Sequence, residues 1–444
     1  MSHYKPYPAY KDSGVEWLGQ VPEHWKVVPC RVIVDEQTQK NEGSAIENYL
    51  SLMANVGVIP YEEKGDIGNK KPDDLSKCKL VSCGDLVINS MNYGIGSYGL
   101  SAYNGICSPV YIVLKPRAKL VEERFALRIF ENKQFQRHAQ SFGTGILEHR
   151  AAISWDDLRG IHVCLPSIEE QVALLVMLDR ETVRIDALVE KKTRFIELLR
   201  EKRQALITHA VTRGLDPNVK MKDSSAEWLD EVPEHWNVKP LRRLIRRLEQ
   251  GWSPNASSEP CEPGGWGVLK LSAIKQGCFS PEQNKSLLAE TQPDQTLETQ
   301  IGDLLLTRAN TPQLVGDACV VRSLKGRRLM LSDLVYRISL IKGADPEFFC
   351  NLLISGYGRS QIEADARGSS MTMAKISQEH IRSWPVPVPP FEEQREISAS
   401  VKAARARLEA LIAKTELSLA LLKERRSALI TAAVTGQIDL REAS

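Results

Sequence analysis

KDSGVEWLGQVPEHW (11–25) and KDSSAEWLDEVPEHW (222–236) align without a gap and are identical at 11 of 15 positions. Further along, LLREKRQALITHAVT (198–212) returns as LLKERRSALITAAVT (421–435). The first pair starts at 11 and 222 and the second at 198 and 421, offsets of 211 and 223. Self-similarity at a long fixed period means a repeated structural unit. The chain is therefore a tandem duplication whose second copy holds about a dozen extra residues between the two shared blocks.

Each copy has the same order: the EWL…VPEHW block, a stretch of mixed strands and helices, then a proline-marked entry into one long helix. The entries are CLPSIEEQ (164–171) and VPPFEEQ (388–394). Proline suits the start of a helix but not its interior, and Glu169, Glu170, Glu392 and Glu393 oppose the positive N-terminal dipole. No Pro or Gly then occurs until VTRG (211–214) and VTG (434–436), where Gly214 and Gly436 supply the stop. Each helix is expected to run about 43 residues, or about 60 Å. Leu178, Thr182, Ile185, Val189, Lys192, Ile196, Leu199, Arg203 and Leu206 step alternately by four and three. Val401, Arg405, Leu408, Ile412, Thr415, Leu419, Leu422, Arg426 and Leu429 repeat the pattern. A 3.5-residue period sustained this long predicts a two-helix coiled coil, with polar seam positions fixing register.

The intervening parts read as α/β. GDLVINS (84–90) and SPVYIVLK (108–115) are expected strands, answered by GDLLLTR (302–308) and SDLVYRISLI (332–341). Helical stretches follow at 121–140 and 346–366, then Gly/Ser/Thr loops at 141–145 and 367–372. In VKPLRRLIRRLEQ (238–250), Leu241, Leu244, Ile245 and Leu248 fall on one helical face and Arg242, Arg243, Arg246 and Arg247 on the other, an expected amphipathic helix. Its arginine face suits phosphates or an acidic partner, or is merely solvated.

Composition bounds the rest. With 444 residues, 42% hydrophobic and 26% charged, the chain is globular. Its start lacks a signal-peptide pattern, and no apolar run approaches the roughly 20 residues that cross a bilayer, so a soluble cytoplasmic protein is expected. Nine cysteines are scattered with no C-x-x-C, which reads as reduced thiols and no metal site. A net charge of +2 does not itself suggest a nucleic-acid partner, so any phosphate-binding surface must be local.

Catalytic patterns are missing. GIGSYG (94–99) is a literal G-x-G-x-x-G, but the chain runs on into a strand rather than opening a helix, so it reads as a loop and not a dinucleotide site. There is no phosphate loop of the G-x-x-x-x-G-K-[ST] type and no Asn-Pro-Pro-aromatic motif for a flipped base. His24 and His235 recur in PEHW beside Trp and read as structural. No catalytic residue is assigned, and a binding protein is expected.

The duplicated W-L-G/D-x-V-P-E-H-W block, the P-x-x-E-E-Q entry and the helix ending K/R-R-x-A-L-I-T-x-A-V-T together resemble the specificity (S) subunit of type I restriction-modification enzymes. The likeness covers both halves. It implies an α/β fold with two similar target-recognition domains related by a pseudo-two-fold and joined by two long antiparallel helices. The expected boundaries are 1–166 for the first recognition domain, 167–214 for the first helix, 215–388 for the second domain and 389–444 for the second helix. The resemblance also implies a non-catalytic chain that binds double-stranded DNA at a split site and docks two methyltransferase (M) subunits and restriction (R) subunits. S-adenosylmethionine, ATP and Mg are then expected in those partners and no cofactor in this chain. Arg203, Leu206, Arg426 and Leu429, in the matched helix ends, are the docking candidates.

Two halves that read different sequences can share a scaffold but not their base-contacting side chains. Between matched strands the copies diverge, at 89–107 and 307–331. Candidate DNA contacts are Asn89, Asn92, Tyr93 and Tyr98 in the first copy. In the second they are Arg308, Asn310, Gln313, Arg322, Lys325, Arg327 and Arg328. Arginine can fork onto guanine and Asn or Gln onto adenine. Lys64, Lys70 and Lys71, around a glycine-rich turn, are candidate phosphate contacts. The helix of one copy leads into the block of the other, whereas the second helix simply stops, so the N- and C-terminal segments are expected to meet. Two other readings stay open: an enzyme with fused recognition domains, and an adaptor that assembles proteins without reading DNA.

Overall fold

The computed structural model describes residues 5–66, 70–143, 152–226, 228–366 and 373–440. Contacts divide the chain into two compact units, residues 1–193 with 417–444, and residues 194–416. Both are mixed α/β and both repeat one topology. In the first, an antiparallel sheet runs in the order Val34–Glu36, Tyr111–Pro116, Leu86–Asn89, Tyr98–Leu100. In the second, the order Ile245–Gln250, Val335–Leu340, Leu304–Thr307, Ala318–Val320 is the same. The four strands expected from sequence thus form the two central pairs. The extra residues of the second copy fall between its matched edge and central strands, where Trp266–Leu269 pairs with Asn284–Ser286 and, in parallel, with Arg328–Met330.

The long helices run Ile168–Arg213 and Phe391–Val434. Every expected seam residue is buried or half-buried. In the first unit, Arg426 Nε meets Asp186 Oδ1 at 3.0 Å. In the second, Arg200 Nη2 meets Glu416 Oε1 at 3.2 Å and Arg203 Nη1 meets Glu409 Oε1 at 3.8 Å. Numbers rise along one helix as they fall along the other, so the helices are antiparallel.

The conserved-looking blocks within the chain have a joint physical purpose. Gln171 and Gln394, the last residues of the two E-E-Q entries, are fully buried. Gln171 accepts from Glu122 N at 2.8 Å and donates to Leu120 O and Pro166 O, both at 3.0 Å. Gln394 accepts from Asp345 N at 2.8 Å and donates to Pro389 O at 2.9 Å and Gly343 O at 3.3 Å. Each glutamine satisfies backbone groups of the turn that enters the next short helix, which burial would otherwise leave unpaired. The preceding glutamates hold the other block: Glu170 Oε2 lies 3.0 Å from His24 Nε2, and Glu393 Oε2 lies 2.8 Å from His235 Nε2. Trp236 Nε1 also donates to Glu393 Oε1 at 3.1 Å. Both histidines thus meet a helix-entry glutamate. Beside them Trp25 and Trp236 are fully buried, each removing roughly 150–250 Å² from water, about 4–6 kcal/mol as an upper bound.

Each helix ends against a tryptophan block. Gly214 and Gly436 have φ of +77° and +72°, the left-handed cap conformation. Gly214 sits by Pro233 and Trp236, and Gly436 by Pro22 and Trp25. Beyond Gly436 the chain pairs with its own start, Asp439 N donating to Lys5 O at 2.8 Å. The expected meeting of the two terminal segments is observed.

Three expectations need correction. Residues 238–250 are not a helix: Asn237–Pro240 is a strand, Leu241–Arg243 a single 3-10 turn, and Ile245–Gln250 an edge strand. The four apolar side chains are buried as expected. A bulge between Ile245 and Arg247 reproduces helical spacing by turning two consecutive arginines outward. The helical stretches each break in two, at Asn132 and at Ser355, both with extended backbone. GIGSYG is no free loop, since Tyr98–Leu100 is a sheet strand and a Cβ on Gly99 would lie 2.8 Å from Gly57 Cα. The loops expected at 144–145 and 367–372, and residues 67–69 of the lysine-bearing turn, lie outside the described residues.

Candidate nucleic-acid interface

In both units the divergent segment leaves a central strand at one end of the four-stranded sheet, crosses back through the edge strand, and emerges at the other end. In the first unit residues 90–97 lie at one end and 101–104 at the other. In the second, 308–317 and 321–327 are separated in the same way by Ala318–Val320. The candidates of 307–331 therefore do not form one surface.

The two ends differ in what they offer. At the second, Arg322 forks onto Glu347 at 2.8 and 2.6 Å, and Lys325 is paired with Glu282. Arg328 forks onto Glu298, both bonds 2.8 Å, and stacks over the Trp266 ring at 4.1 Å. Arg327 Nε donates to Cys261 O at 2.9 Å. The bonds from Lys325 and Arg328 hold the carboxyls of Glu282 and Glu298 below the usual carboxylate pKa. A cation already forked onto a carboxylate must break that pair before it can grip a base or phosphate.

At the first end the groups are less committed. Arg308 is half-buried, with Nη1 3.4 Å from Asp333 O. Asn310 is half-buried, its Oδ1 accepting from Thr311 N at 2.8 Å. Gln313 is exposed, and its backbone carbonyl accepts from Arg359 Nη2 at 3.2 Å. Residues that sequence reasoning missed complete this surface. Trp252 is 49% exposed. Ser253 Oγ donates to Asp333 Oδ1 at 2.5 Å, and Gln250 Nε2 to Asp333 O at 3.1 Å. Gly251 permits this docking, because a Cβ there would lie 2.3 Å from the Leu331 carbonyl. No local pattern links 250–253 to 331–333; strand pairing alone brings them together.

The corresponding end of the first unit is built differently. Asn89 is buried, its Oδ1 accepting from Met91 N at 3.1 Å, and Tyr93 is buried with its hydroxyl donating to Phe130 O at 2.5 Å. These two shape the loop and do not face outward. Asn92 and Tyr98 are half-buried. Tyr98 packs edge-on to Tyr93 at 5.7 Å, and burial with Glu131 nearby pushes its hydroxyl up to about 12. What the loop displays is apolar: Met91 is 57% and Ile95 54% exposed. Apolar tips contact thymine methyl groups or wedge between base steps. Of the lysines, Lys64 is buried with its ammonium 4.7 Å from the Tyr61 ring centroid, Lys71 reaches Glu47 O at 3.4 Å, and Lys70 is exposed.

The docking candidates are used internally. Leu429 is buried in the core of the first unit and Leu206 packs on that of the second. Arg426 bridges Glu131 at 2.8 Å and Asp186 at 3.0 Å, and Arg203 donates to Gln276 Oε1 at 3.0 Å. Among the described residues no group of three His, Cys, Asp or Glu could hold a metal, and no helix is long and apolar enough to cross a membrane.

No protein-family model matches the chain. It is 24% identical over 442 residues to the EcoKI type I restriction enzyme specificity subunit of Escherichia coli K12, a match spanning 95% of this chain and 90% of that one. The putative MjaX specificity subunit of Methanocaldococcus jannaschii is 23% identical over 407 residues, covering 87% and 88%. The EcoEI specificity subunit of Escherichia coli is 26% identical over 261 residues, covering 58% of this chain and 43% of that subunit, less than half its length. A chain from a solved type I restriction-modification complex superposes with a TM-score of 0.69 at 14% identity, covering 93% of this chain and 98% of that one. The HsdS subunit of Thermoanaerobacter tengcongensis gives 0.50 at 16%, covering 94% and 98%. These two show the fold. The sequence similarity reaches specificity subunits across nearly the whole chain. With the duplicated block-and-helix pattern and the shared fold, it makes this chain similar to the specificity subunits of type I restriction-modification enzymes.

Proposed function

We propose that the chain is the DNA-reading subunit of a type I complex, with each unit recognising one half of a split double-stranded site through the loop at the readout end of its sheet. The observation that carries this is the contrast between copies. The E-E-Q entry, the histidine and tryptophan block and the strand order repeat, while residues 90–97 and 308–317 leave the same strand end with unrelated side chains. Asn310, Gln313 and Arg308, with Trp252 beside them, are the contacts proposed for the second half-site. Asn92, Met91 and Ile95, with Lys70 and Lys71 as phosphate contacts, are those proposed for the first.

The remaining parts of the reaction belong to partners. Two methyltransferase subunits would dock on the long helices and transfer a methyl group from S-adenosylmethionine to adenine in each half-site. Restriction subunits would supply ATP- and Mg-dependent cleavage, all in the cytoplasm. Because Leu206 and Leu429 are occupied internally, the docking surface would use exposed positions that recur in both helices, such as Leu188 with Leu411 and Leu198 with Leu421.

The test is to exchange residues 308–317 for those of another specificity subunit, assemble the complex, and map methylated adenines genome-wide. One half of the site should change and the other stay fixed. A change in both halves, or in neither, refutes this placement of readout. An adaptor that never touches DNA gives no split site at all.

A further inference from the structure

We infer that the second unit carries a separate phosphate-binding face, formed by Arg242, Arg243, Arg246, Lys342 and Arg382, that holds the DNA backbone outside the bases it reads; this rests on the reading that the chain binds duplex DNA. The face is built from three neighbouring pieces. Leu241–Arg243 is a 3-10 turn whose first N–H donates to Trp384 O at 2.8 Å, which seats it on the short helix Gln378–Ser383 that carries Arg382. Ile341 N donates to Leu244 O at 2.9 Å and brings Lys342 alongside. The bulge after Ile245 then turns Arg246 outward. Arg242, Arg243, Arg246 and Lys342 are exposed and Arg382 is half-exposed.

Two observations separate this cluster from an ordinary solvated surface. None of the five makes an ion pair or side-chain hydrogen bond among the described residues, whereas Arg322, Lys325 and Arg328 nearby in the same unit are all paired. The acidic groups close by are Glu379, which is exposed, and Glu249, which is taken by Arg247 at 3.0 Å and Arg337 at 2.9 Å.

The first unit has the same scaffold with less positive charge. There Cys30 N donates to Ile161 O and Arg117 N to Ile33 O, both at 2.8 Å, so the positions match one for one. Val32 stands where the second unit has Arg243, and Asp35 where it has Arg246. Asp157 stands where it has His380. Asp35 is forked by Arg117 at 2.8 and 2.5 Å, which holds its carboxyl below the ordinary carboxylate range and neutralises both partners. Arg31 and Arg159 match Arg242 and Arg382, so the comparison shows that the fold requires neither Arg243 nor Arg246.

The cluster lies at the Ile245 and Leu340 end of the sheet, opposite the Gln250, Arg308 and Asp333 end proposed for base readout. Ile245 to Gln250 spans about 17 Å of strand. At 3.4 Å per base step, a duplex lying along the strands places its backbone over the arginines about five base pairs from the bases being read. Arginine forks fit phosphate oxygens, and contacts of this kind carry affinity without sequence information.

The test uses the full chain and a random-sequence 40-base-pair duplex, with affinity measured by fluorescence anisotropy between 50 and 200 mM KCl. Each lost phosphate contact lowers the slope of log K against log salt by about 0.9. Arg242→Gln/Arg243→Gln/Arg246→Gln should lower it by about 2 to 3, so that wild type loses up to about 40-fold more affinity than the variant over that range. Arg243→Val/Arg246→Asp, the residues the first unit carries on the same scaffold, serves as a second variant whose folding is not in question, and should lower the slope by about 2. Arg31→Gln in the first unit should change it by less than 1. Unchanged slopes in both second-unit variants overturn the inference, as does weakened binding of the methyltransferase subunit with the slope intact, which would mean an acidic protein partner. Sequence-selective methylation by the assembled wild type reports the proposed function separately, and neither result decides the other.

Discussion

Gln394 is the residue on which the architecture of the second unit should depend most for its size. Its side chain is fully buried and makes three hydrogen bonds, to Asp345 N, Pro389 O and Gly343 O. A buried hydrogen bond contributes about 0.5–1.5 kcal/mol net, and leaving its backbone partner unpaired costs about 1–3 kcal/mol. Gln394→Ala removes three such bonds at once, so a loss of about 3–5 kcal/mol is expected, against a typical domain stability of about 5–15 kcal/mol. For a unit of this size that corresponds to about 6–20 °C in melting temperature. Gln394→Met separates the causes, because methionine restores the packed volume and none of the hydrogen bonds. Differential scanning calorimetry of both variants is the assay. If methionine recovers most of the loss, packing and not backbone satisfaction explains the E-E-Q signature, and the argument given for it is wrong. Gln171, with the same three kinds of partner, should behave alike in the first unit.

Three further outcomes are expected. Native-state labelling with iodoacetamide should modify Cys83 and Cys278, the two exposed thiols of nine, and leave Cys107, Cys164 and Cys350 untouched, since burial pushes each of them up to about 12; peptide mass spectrometry reads the sites. Gly436→Ala should destabilise by about 2–5 kcal/mol, the left-handed backbone plus a Cβ 2.2 Å from Pro22 Cδ, whereas Gly214→Ala should cost only the backbone part, about 1–2 kcal/mol, because its nearest neighbour is 3.4 Å away; equal effects in denaturant titrations contradict this. Arg328 holds the Glu298 carboxyl below its ordinary value of 4.5, so the pair stabilises fully above that value and its contribution is lost as pH falls through the depressed one. Arg328→Gln should therefore flatten the acid limb of the melting-temperature profile and leave the neutral limb nearly unchanged.

Elements whose cause is local were legible in the sequence. The helices follow from proline entry, glycine exit and an uninterrupted seam, and the central strands from short apolar runs behind Gly-Asp turns. Residues 238–250 were misread because a 3-10 turn followed by a bulged strand spaces Leu241, Leu244, Ile245 and Leu248 as a helix would. Charge was the least legible property. Arg322, Lys325 and Arg328 look like a basic loop, but their carboxylates, Glu347, Glu282 and Glu298, lie 25, 43 and 30 residues away and are brought to them only by the tertiary fold. Asn89 and Tyr93 are chemically apt for bases, yet the strand end and the Phe130 carbonyl claim them first. Trp252 carries no motif and becomes visible only once residues 331–333 are beside it.

The duplication also predicts an asymmetry that no sequence alignment of the copies contains. Past Gly214 the chain continues covalently into the second block, while past Gly436 the same connection is made only by pairing Gln437–Leu440 with the start of the chain. Ile438 and Leu440 are buried in the core of the first unit, and Tyr10 and Lys5 supply the polar bonds. Two buried aliphatic side chains contribute about 1.5–3 kcal/mol each. Deleting residues 437–444 should therefore remove about 3–6 kcal/mol from the first unit and nothing comparable from the second, whose equivalent link cannot dissociate. Limited trypsin digestion followed by mass spectrometry separates the cases. Cleavage should spread through residues 5–193 first while the 194–416 region survives as large fragments. Equal resistance of both regions in the deletion variant would mean that the terminal pairing carries no stability, and that the first block closes on its helix through Trp25 and Gly436 alone.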